Sequence, residues 1–203
     1  MKKNIEELTK KAIDMQANSL TTTQIANELN ISRETVIWLL TQSKKEESTP
    51  VPKDSSIEWN CIGKSANRLR NISMALCDII LESIHKIGID VDVIVGIGAS
   101  GIPFAVLIAD ELGSEFAVFH VQDKQRSSGI HGVLSRNFAS VEGKNCIIVD
   151  DVITSGSTIK GVINHLKDNH ATPIAVTVLI DKIGMNTIED IPIHSLIRIM
   201  RVD

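Results

Sequence analysis

Tyrosine is missing from this chain, and the other rings are few: four Phe and two Trp. A site that grips a flat base by stacking has few candidates among them. Cysteine is scarce too. Cys61, Cys77 and Cys146 are odd in number and widely separated, with no metal or disulfide spacing. This usage fits a reducing compartment, so a cytoplasmic location is expected. There is no excess of positive charge. The formal net charge is -4, which argues against a protein coated in basic residues for nucleic acid but allows a local patch. No apolar run is long enough to span a bilayer, the start of the chain has no signal-peptide core, and there are no internal repeats. No membrane partner is expected. What is present is a 43% hydrophobic fraction over 203 residues, enough for one domain of ordinary size or one domain with a small appendage.

The most informative stretch is Ile147 to Thr158. An apolar run from Cys146 to Val149 has the pattern of a buried parallel strand. Asp150 and Asp151 follow at its end. Next comes a small hydroxyl- and glycine-rich turn of Thr154, Ser155, Gly156, Ser157 and Thr158. Ile159, Val162, Ile163 and Leu166 then recur at helical spacing. Small side chains let backbone N–H groups converge on an anion, and a helix N-terminus adds partial positive charge. The turn suits a phosphate. The carboxylates suit the neutral hydroxyls of an attached sugar, for which they are strong acceptors. A phosphate beside a vicinal diol describes a ribose 5-phosphate. The simpler reading is a strand–turn–helix with a Ser/Thr cap.

This stretch resembles the signature of the type I phosphoribosyltransferases, which bind phosphoribosyl pyrophosphate. The resemblance implies Asp150 and Asp151 on the ribose hydroxyls and residues 154–158 around the 5-phosphate. It also implies pyrophosphate binding after the first strand of the domain. There Gly96-Ile-Gly-Ala-Ser-Gly101 matches G-x-G-x-x-G after an expected strand, Val91 to Ile97, with a helix from Pro103 to Leu112. A dinucleotide fold would need an acid at the end of the next strand, Phe116 to His120, and none is there. Ala99, Ser100 and Gly101 are the residues that match the pyrophosphate loop, with backbone amides as donors.

Residues 121–138 read as a long polar loop. The orotate phosphoribosyltransferases have a mobile lysine-rich loop here that ends in His-Gly. This chain has Lys124, Arg126, His131 and Gly132 at altered spacing, with Lys124 as the side chain expected on pyrophosphate. Gln122 and Asp123 stand where that family has basic residues, which counts against catalysis more than against binding. No catalytic residue is assigned. The histidines His165, His170 and His194 have no ligand spacing, so no metal site is expected. No permanently bound cofactor is expected either, although Mg²⁺ could accompany a pyrophosphate ligand.

The first part of the chain has a different character. Ile5, Leu8, Ala12 and Met15 share one helical face. Thr21 to Thr23 cap a second helix that buries Ile25, Ala26 and Leu29. Asn30-Ile31-Ser32 is a tight turn, and Val36, Ile37, Leu39 and Leu40 continue as a third helix. From Thr21 or Thr22 to Leu40 this resembles the helix-turn-helix of many prokaryotic DNA-binding regulators. The resemblance implies DNA contacts from Thr22, Ser32, Arg33, Thr35 and Trp38. The alternative is a three-helix bundle used for packing or oligomerisation. The charged, proline-containing stretch KKEESTPVPKDSS has the composition of a linker.

The expected organisation is a helix-turn-helix domain over 1–43, a linker over 44–56, and a parallel-sheet, doubly wound α/β phosphoribosyltransferase-like domain over 57–203. This arrangement resembles archaeal regulators that join a helix-turn-helix to an orotate phosphoribosyltransferase-like domain. The resemblance implies a cytoplasmic transcription regulator of central sugar or nucleotide metabolism that senses phosphoribosyl pyrophosphate or a related ligand. It would be a homodimer on a palindromic DNA operator. The alternative is an active orotate or purine phosphoribosyltransferase that makes a nucleoside monophosphate and releases pyrophosphate. A third reading is an enzyme whose helical part serves only oligomerisation.

Overall fold

The computed structural model of the chain describes residues 2–42, 52–122 and 131–200. The chain divides into two compact units, Met1–Cys61 and Ile62–Asp203.

The first unit holds α1 (Lys2–Ala17), α2 (Thr22–Leu29) and α3 (Arg33–Gln42). Ala12, Ile25, Ala26, Leu29, Ile31, Val36 and Leu39 form its core, with Ile5, Leu8 and Met15 packed against it. Thr21 begins α2 with a full capping box: its side chain accepts from the Gln24 N–H, and the Gln24 side chain accepts from the Thr21 N–H. Asn30 ends α2 in the left-handed region at φ 52°, a conformation Asn tolerates. Ile31 follows, 2% exposed, and plugs the turn into α3.

Part of the stretch read as linker belongs to this unit. Asp54 Oδ2 accepts from the Ser32 N–H at 2.7 Å and from Thr35 Oγ1 at 2.8 Å. Ser56 Oγ donates to the Leu29 carbonyl and Asn30 Nδ2 to the Ile57 carbonyl, both at 2.8 Å. Residues 54–57 thus strap the turn between α2 and α3. Low apolar content marked residues 54–56 as linker, but polar groups of this stretch are used to bond backbone that the turn leaves open.

In the second unit a short α4 (Asn60–Gly63) spans the boundary and leads to α5 (Ala66–Ile87), capped by Ser65. Then come β1 (Val93–Ile97), α6 (Gly98–Leu112), β2 (Glu115–Gln122), β3 (His131–Leu134), β4 (Asn145–Ile153), α7 (Ser157–Asp168), β5 (Thr172–Asp181), β6 (Thr187–Ile188) and β7 (Ile191–Arg198). The sheet order is β3-β2-β1-β4-β5-β7-β6. Neighbours from β2 to β7 are parallel, while β3 and β6 are antiparallel edge strands. The fold is α/β with a mostly parallel sheet, preceded by a helical region.

Parallel strands covered by helices on both faces must be apolar throughout, and β1 and most of β4 and β5 are fully buried. On one face α7 contributes Ile159, Val162, Ile163 and Leu166 to a core with Val95, Ile148 and Val176. On the other, α6 lies so close to β1 that a Cβ on Gly96 would stand 2.9 Å from Ala105 Cβ.

Three sequence expectations change. The α6 helix begins at Gly98 rather than Pro103, so Ala99, Ser100 and Gly101 are its first turn and not a loop. The acid pair lies within β4 rather than beyond it, because pairing with β5 continues through Ile153↔Asp181. The long polar loop is shortened, since β3 pairs back on β2 with His120 opposite Val133.

Candidate functional site

Strand β1 has β2, its successor through α6, on one side and β4 on the other. The connections leaving β1 and β4 therefore diverge. In sheets of this kind such a divergence places a crevice between the two connections at the strand carboxyl ends, the usual ligand position. Gly98–Gly101 and Asp150–Thr158 are the residues at that switch point.

Two helices begin there, and neither has a side-chain cap. Ile97 precedes α6 and Gly156 precedes α7, and neither gives the helix a capping hydrogen bond. By contrast, α2 and α5 elsewhere are capped by Thr21 and Ser65. The first amides of a helix have no partner within it. That of Ser157 bonds Ser155 Oγ at 3.4 Å, and the other first-turn amides at the crevice are available to an anion. Gly156 sits at φ 76°, a left-handed conformation that lets the chain turn directly from β4 into α7. A Cβ there would be 3.1 Å from Ile188 Cδ1 and 3.3 Å from Ile183 Cδ1. Ser155 Oγ and Ser157 Oγ lie 2.8 Å apart and share a hydrogen bond. Thr154 and Thr158 flank them, half-buried, and among the described residues nothing takes their hydroxyls.

The acid pair is withdrawn from solvent, with Asp150 9% and Asp151 5% exposed. Burial, and next the charge of Asp151, push the Asp150 carboxyl well above the usual carboxylate range. Its Oδ1 accepts the Asp151 N–H at 2.9 Å, which offsets this in part. Asp151 in turn accepts from Ser100 Oγ at 2.9 Å. Gly101 makes the crossing possible: a Cβ on it would stand 2.6 Å from the Val149 carbonyl oxygen and 3.0 Å from Asp150 Cα. The sequence placed Ser100 and Gly101 near an anion but gave no sign that they touch the acids. Ala99 is exposed beside them. Lys124 and Arg126 lie outside the described residues. Among the described residues no group of three His, Cys, Asp or Glu is placed to hold a metal, and no helix is long and apolar enough to cross a membrane.

In the helical unit the expected contact residues separate into two sets. Arg33 is exposed, and Thr22 and Ser32 are half-buried. Thr35 does not face outward as expected. It is 8% exposed, with its hydroxyl 2.8 Å from both Asp54 Oδ2 and Ser32 Oγ. Trp38 is half-buried against the helical core, its indole N–H without a partner among the described residues. The outward residues of α3 are Arg33, Glu34, Ile37 and Thr41. Partners that lie nineteen residues away, as Asp54 does from Thr35, leave no mark in helical periodicity.

The family described as phosphoribosyl transferase domain matches residues 62–191, the greater part of the second unit. Among solved structures, adenine phosphoribosyltransferase from Thermoanaerobacter pseudethanolicus superposes with a TM-score of 0.56 at 20% identity, over 71% of this chain and 89% of that one. Orotate phosphoribosyltransferase from Aeropyrum pernix gives 0.54 at 19% identity, over 75% and 84%. At these identities the likeness establishes the fold. The curated relatives are much nearer. Transcriptional regulator GfcR 2 of Methanosarcina acetivorans is 58% identical over 202 residues, 99% of this chain and 100% of that protein. Transcriptional regulator GfcR of Methanobrevibacter smithii is 45% identical over 97% of this chain and 99% of that protein. The chain belongs to the phosphoribosyl transferase domain family in its second unit and, over 99% of its length, to the family of proteins named transcriptional regulator GfcR.

Proposed function

We propose that this chain is a DNA-binding transcription regulator in which a helix-turn-helix, α2 to α3, reads an operator and the crevice between β1 and β4 senses a phosphoribosyl ligand. The observation that carries this reading is the end-to-end match to proteins named as transcriptional regulators, helical unit included. Arg33 at the start of α3 is the candidate for a base or phosphate contact, with Thr22 and Ser32 nearby. The inward turn of Thr35 and Trp38 moves the remaining reading surface to Glu34, Ile37 and Thr41. One such helix reads few base pairs, so a homodimer on a palindromic site, with half-sites about 34 Å apart, is the arrangement proposed.

In the crevice, Asp150 and Asp151 take the ribose hydroxyls. The first turn of α7 and the hydroxyls of residues 154–158 take the 5-phosphate, and the amides of Ala99, Ser100 and Gly101 take a pyrophosphate. Mg²⁺ would enter with that pyrophosphate, held mainly by the ligand's own oxygens. The ligand class is phosphoribosyl pyrophosphate or a nucleoside monophosphate, consistent with control of sugar or nucleotide metabolism in the cytoplasm. Selection of bound fragments from random DNA, with and without phosphoribosyl pyrophosphate, tests the whole reading. A palindromic consensus whose recovery depends on the ligand is expected, and no enrichment overturns it.

The buried acid pair, present with the enzyme fold, favours one second reading: an active orotate or purine phosphoribosyltransferase. A pyrophosphate-release assay with these bases separates the two. Turnover on the order of 1 per second would establish the enzyme.

A further inference from the structure

We propose that Ser100 is a positioning residue for Asp151, so that the first turn of α6 sets how firmly the crevice holds a ribose diol. This rests on the phosphoribosyl reading of the site and adds a role that the sequence did not assign to the hydroxyl.

Ser100 Oγ donates to Asp151 Oδ1 at 2.9 Å across fifty-one positions of sequence, joining the two connections that diverge at the switch point. The terminal torsion of an aspartate is broad, so an anchoring bond is what fixes the direction of its lone pairs. The anchor is itself held by backbone. Gly101 brings the start of α6 against Val149 and Asp150 with no space for a Cβ, so the turn that carries Ser100 cannot drift from β4. A serine hydroxyl has one proton to donate. Given to Asp151, it is withheld from an anion in the same turn. Gly96–Gly101 carries no Lys or Arg, which leaves anion binding by this turn to its backbone amides. Ser100 thus contributes to the sugar end of the ligand by way of Asp151, although it sits where a pyrophosphate would dock.

The two roles give different results with two probes. Ribose 5-phosphate carries the phosphate and the diol. Phosphoribosyl pyrophosphate adds the diphosphate. Calorimetry on the full chain should show Ser100→Ala weakening both by the same factor, about three- to thirtyfold, less than the roughly 10- to 150-fold of a charge-assisted hydrogen bond made to the ligand itself, because Ser100 acts through Asp151. Ser100→Thr, which keeps the hydroxyl, should restore most of the affinity. In an Asp151→Ala background, Ser100→Ala should cost nothing further, because the group it positions is gone. A thermal melt of Ser100→Ala close to that of the parent confirms that the turn is intact. The proposal is overturned if Ser100→Ala weakens phosphoribosyl pyrophosphate alone, which makes the hydroxyl a direct diphosphate donor, or if the losses from Ser100→Ala and Asp151→Ala simply add. A parent protein that binds neither probe removes the phosphoribosyl reading and this inference with it. A parent that binds both while Ser100→Ala changes neither removes this inference alone.

Discussion

Asp181 and Asp150 lie near the carboxyl ends of adjacent strands, β5 and β4, and both are withdrawn from solvent, at 0% and 9% exposure. Their surroundings differ in one respect. Asp181 Oδ1 accepts the N–H groups of Ile183 and Gly184, each at 2.9 Å, and its Oδ2 meets Arg198 Nε at 3.1 Å. The guanidinium goes on to Asn186 Oδ1 and the Met185 carbonyl, which folds the β5–β6 loop into a fixed shape. Among the described residues Asp150 has no cation. The partners it has are the N–H and the carboxyl of Asp151, its own neighbour. A buried carboxylate answered by a cation and two amides serves the fold. One answered by a single amide and another acid keeps acceptor capacity for something that arrives from outside.

The largest expected effect follows from breaking the closed site. Arg198→Ala leaves Asp181 buried with its two amides and no cation. Asp181 is buried but the Arg198 side chain is 35% exposed, so solvent screening brings the loss below the about 3–5 kcal/mol of a fully buried pair, to about 2–3 kcal/mol. Urea unfolding, with the slope checked for constancy, should place the loss in that range. A loss below about 1 kcal/mol, the scale of an exposed pair, would mean that Arg198 adds nothing and that the two acids do not differ as described.

The next effect is on binding rather than stability. Asp150→Asn with Asp151→Asn removes both charged acceptors and keeps the shape. Each charge-assisted hydrogen bond is worth about 1.5–3 kcal/mol, so affinity for phosphoribosyl pyrophosphate should fall at least about tenfold. Calorimetry giving equal affinities would remove the acids from the ligand site. Gly101→Ala tests the close crossing that brings α6 to them. The added methyl meets the Val149 carbonyl oxygen at 2.6 Å. Overpacking of this kind costs about 1–3 kcal/mol, and the shift of α6 should weaken the ligand as well. A melt and a titration read the two losses, and a variant with both unchanged would show that the helix start tolerates movement.

The same contrast explains what the sequence disclosed. The signature stretch was legible because its pattern is local: an apolar run, two acids, five small residues and a helical repeat lie within about twenty positions of each other. Most strands and helices of the second unit announced themselves by apolar runs and periodicity in the same way. What did not show were interactions between distant segments. The pairing of Asp181 with Arg198 spans seventeen residues, Ser100 with Asp151 fifty-one, and Thr35 with Asp54 nineteen. The last of these moved Thr35 inward and turned part of an apparent linker into a strap. The start of α6 was misplaced because Gly98 and Gly101 read as loop residues and Pro103 as a first turn. Yet an apolar, closely packed helix accommodates all three, with Gly101 selected by contact with β4.

The smallest effect sharpens the comparison through pH. Burial raises the Asp150 carboxyl above its ordinary value, so the folded chain holds a proton more tightly than the unfolded one. The sign follows from linkage. Below the unfolded value, about pH 4, both states are protonated and the contribution of Asp150 to stability is fully present. As pH rises through the folded value the proton leaves, a charge is created beside Asp151, and that stability is lost. Asp150→Asn cannot acquire the charge. In the absence of ligand, the Asn variant should therefore match the parent near pH 4 and become more stable toward neutral pH. Single stabilising substitutions commonly gain about 0.5–2 kcal/mol, and a gain on that scale is expected here. That corresponds to a melting point about 1–8 °C higher for a chain of this size. Saturating phosphoribosyl pyrophosphate should reverse the order, since it stabilises the protein that binds it more tightly. Melting curves between pH 4 and 8, with and without ligand, decide the matter. A variant less stable than the parent at pH 7 without ligand would mean that Asp150, like Asp181, belongs to the fold.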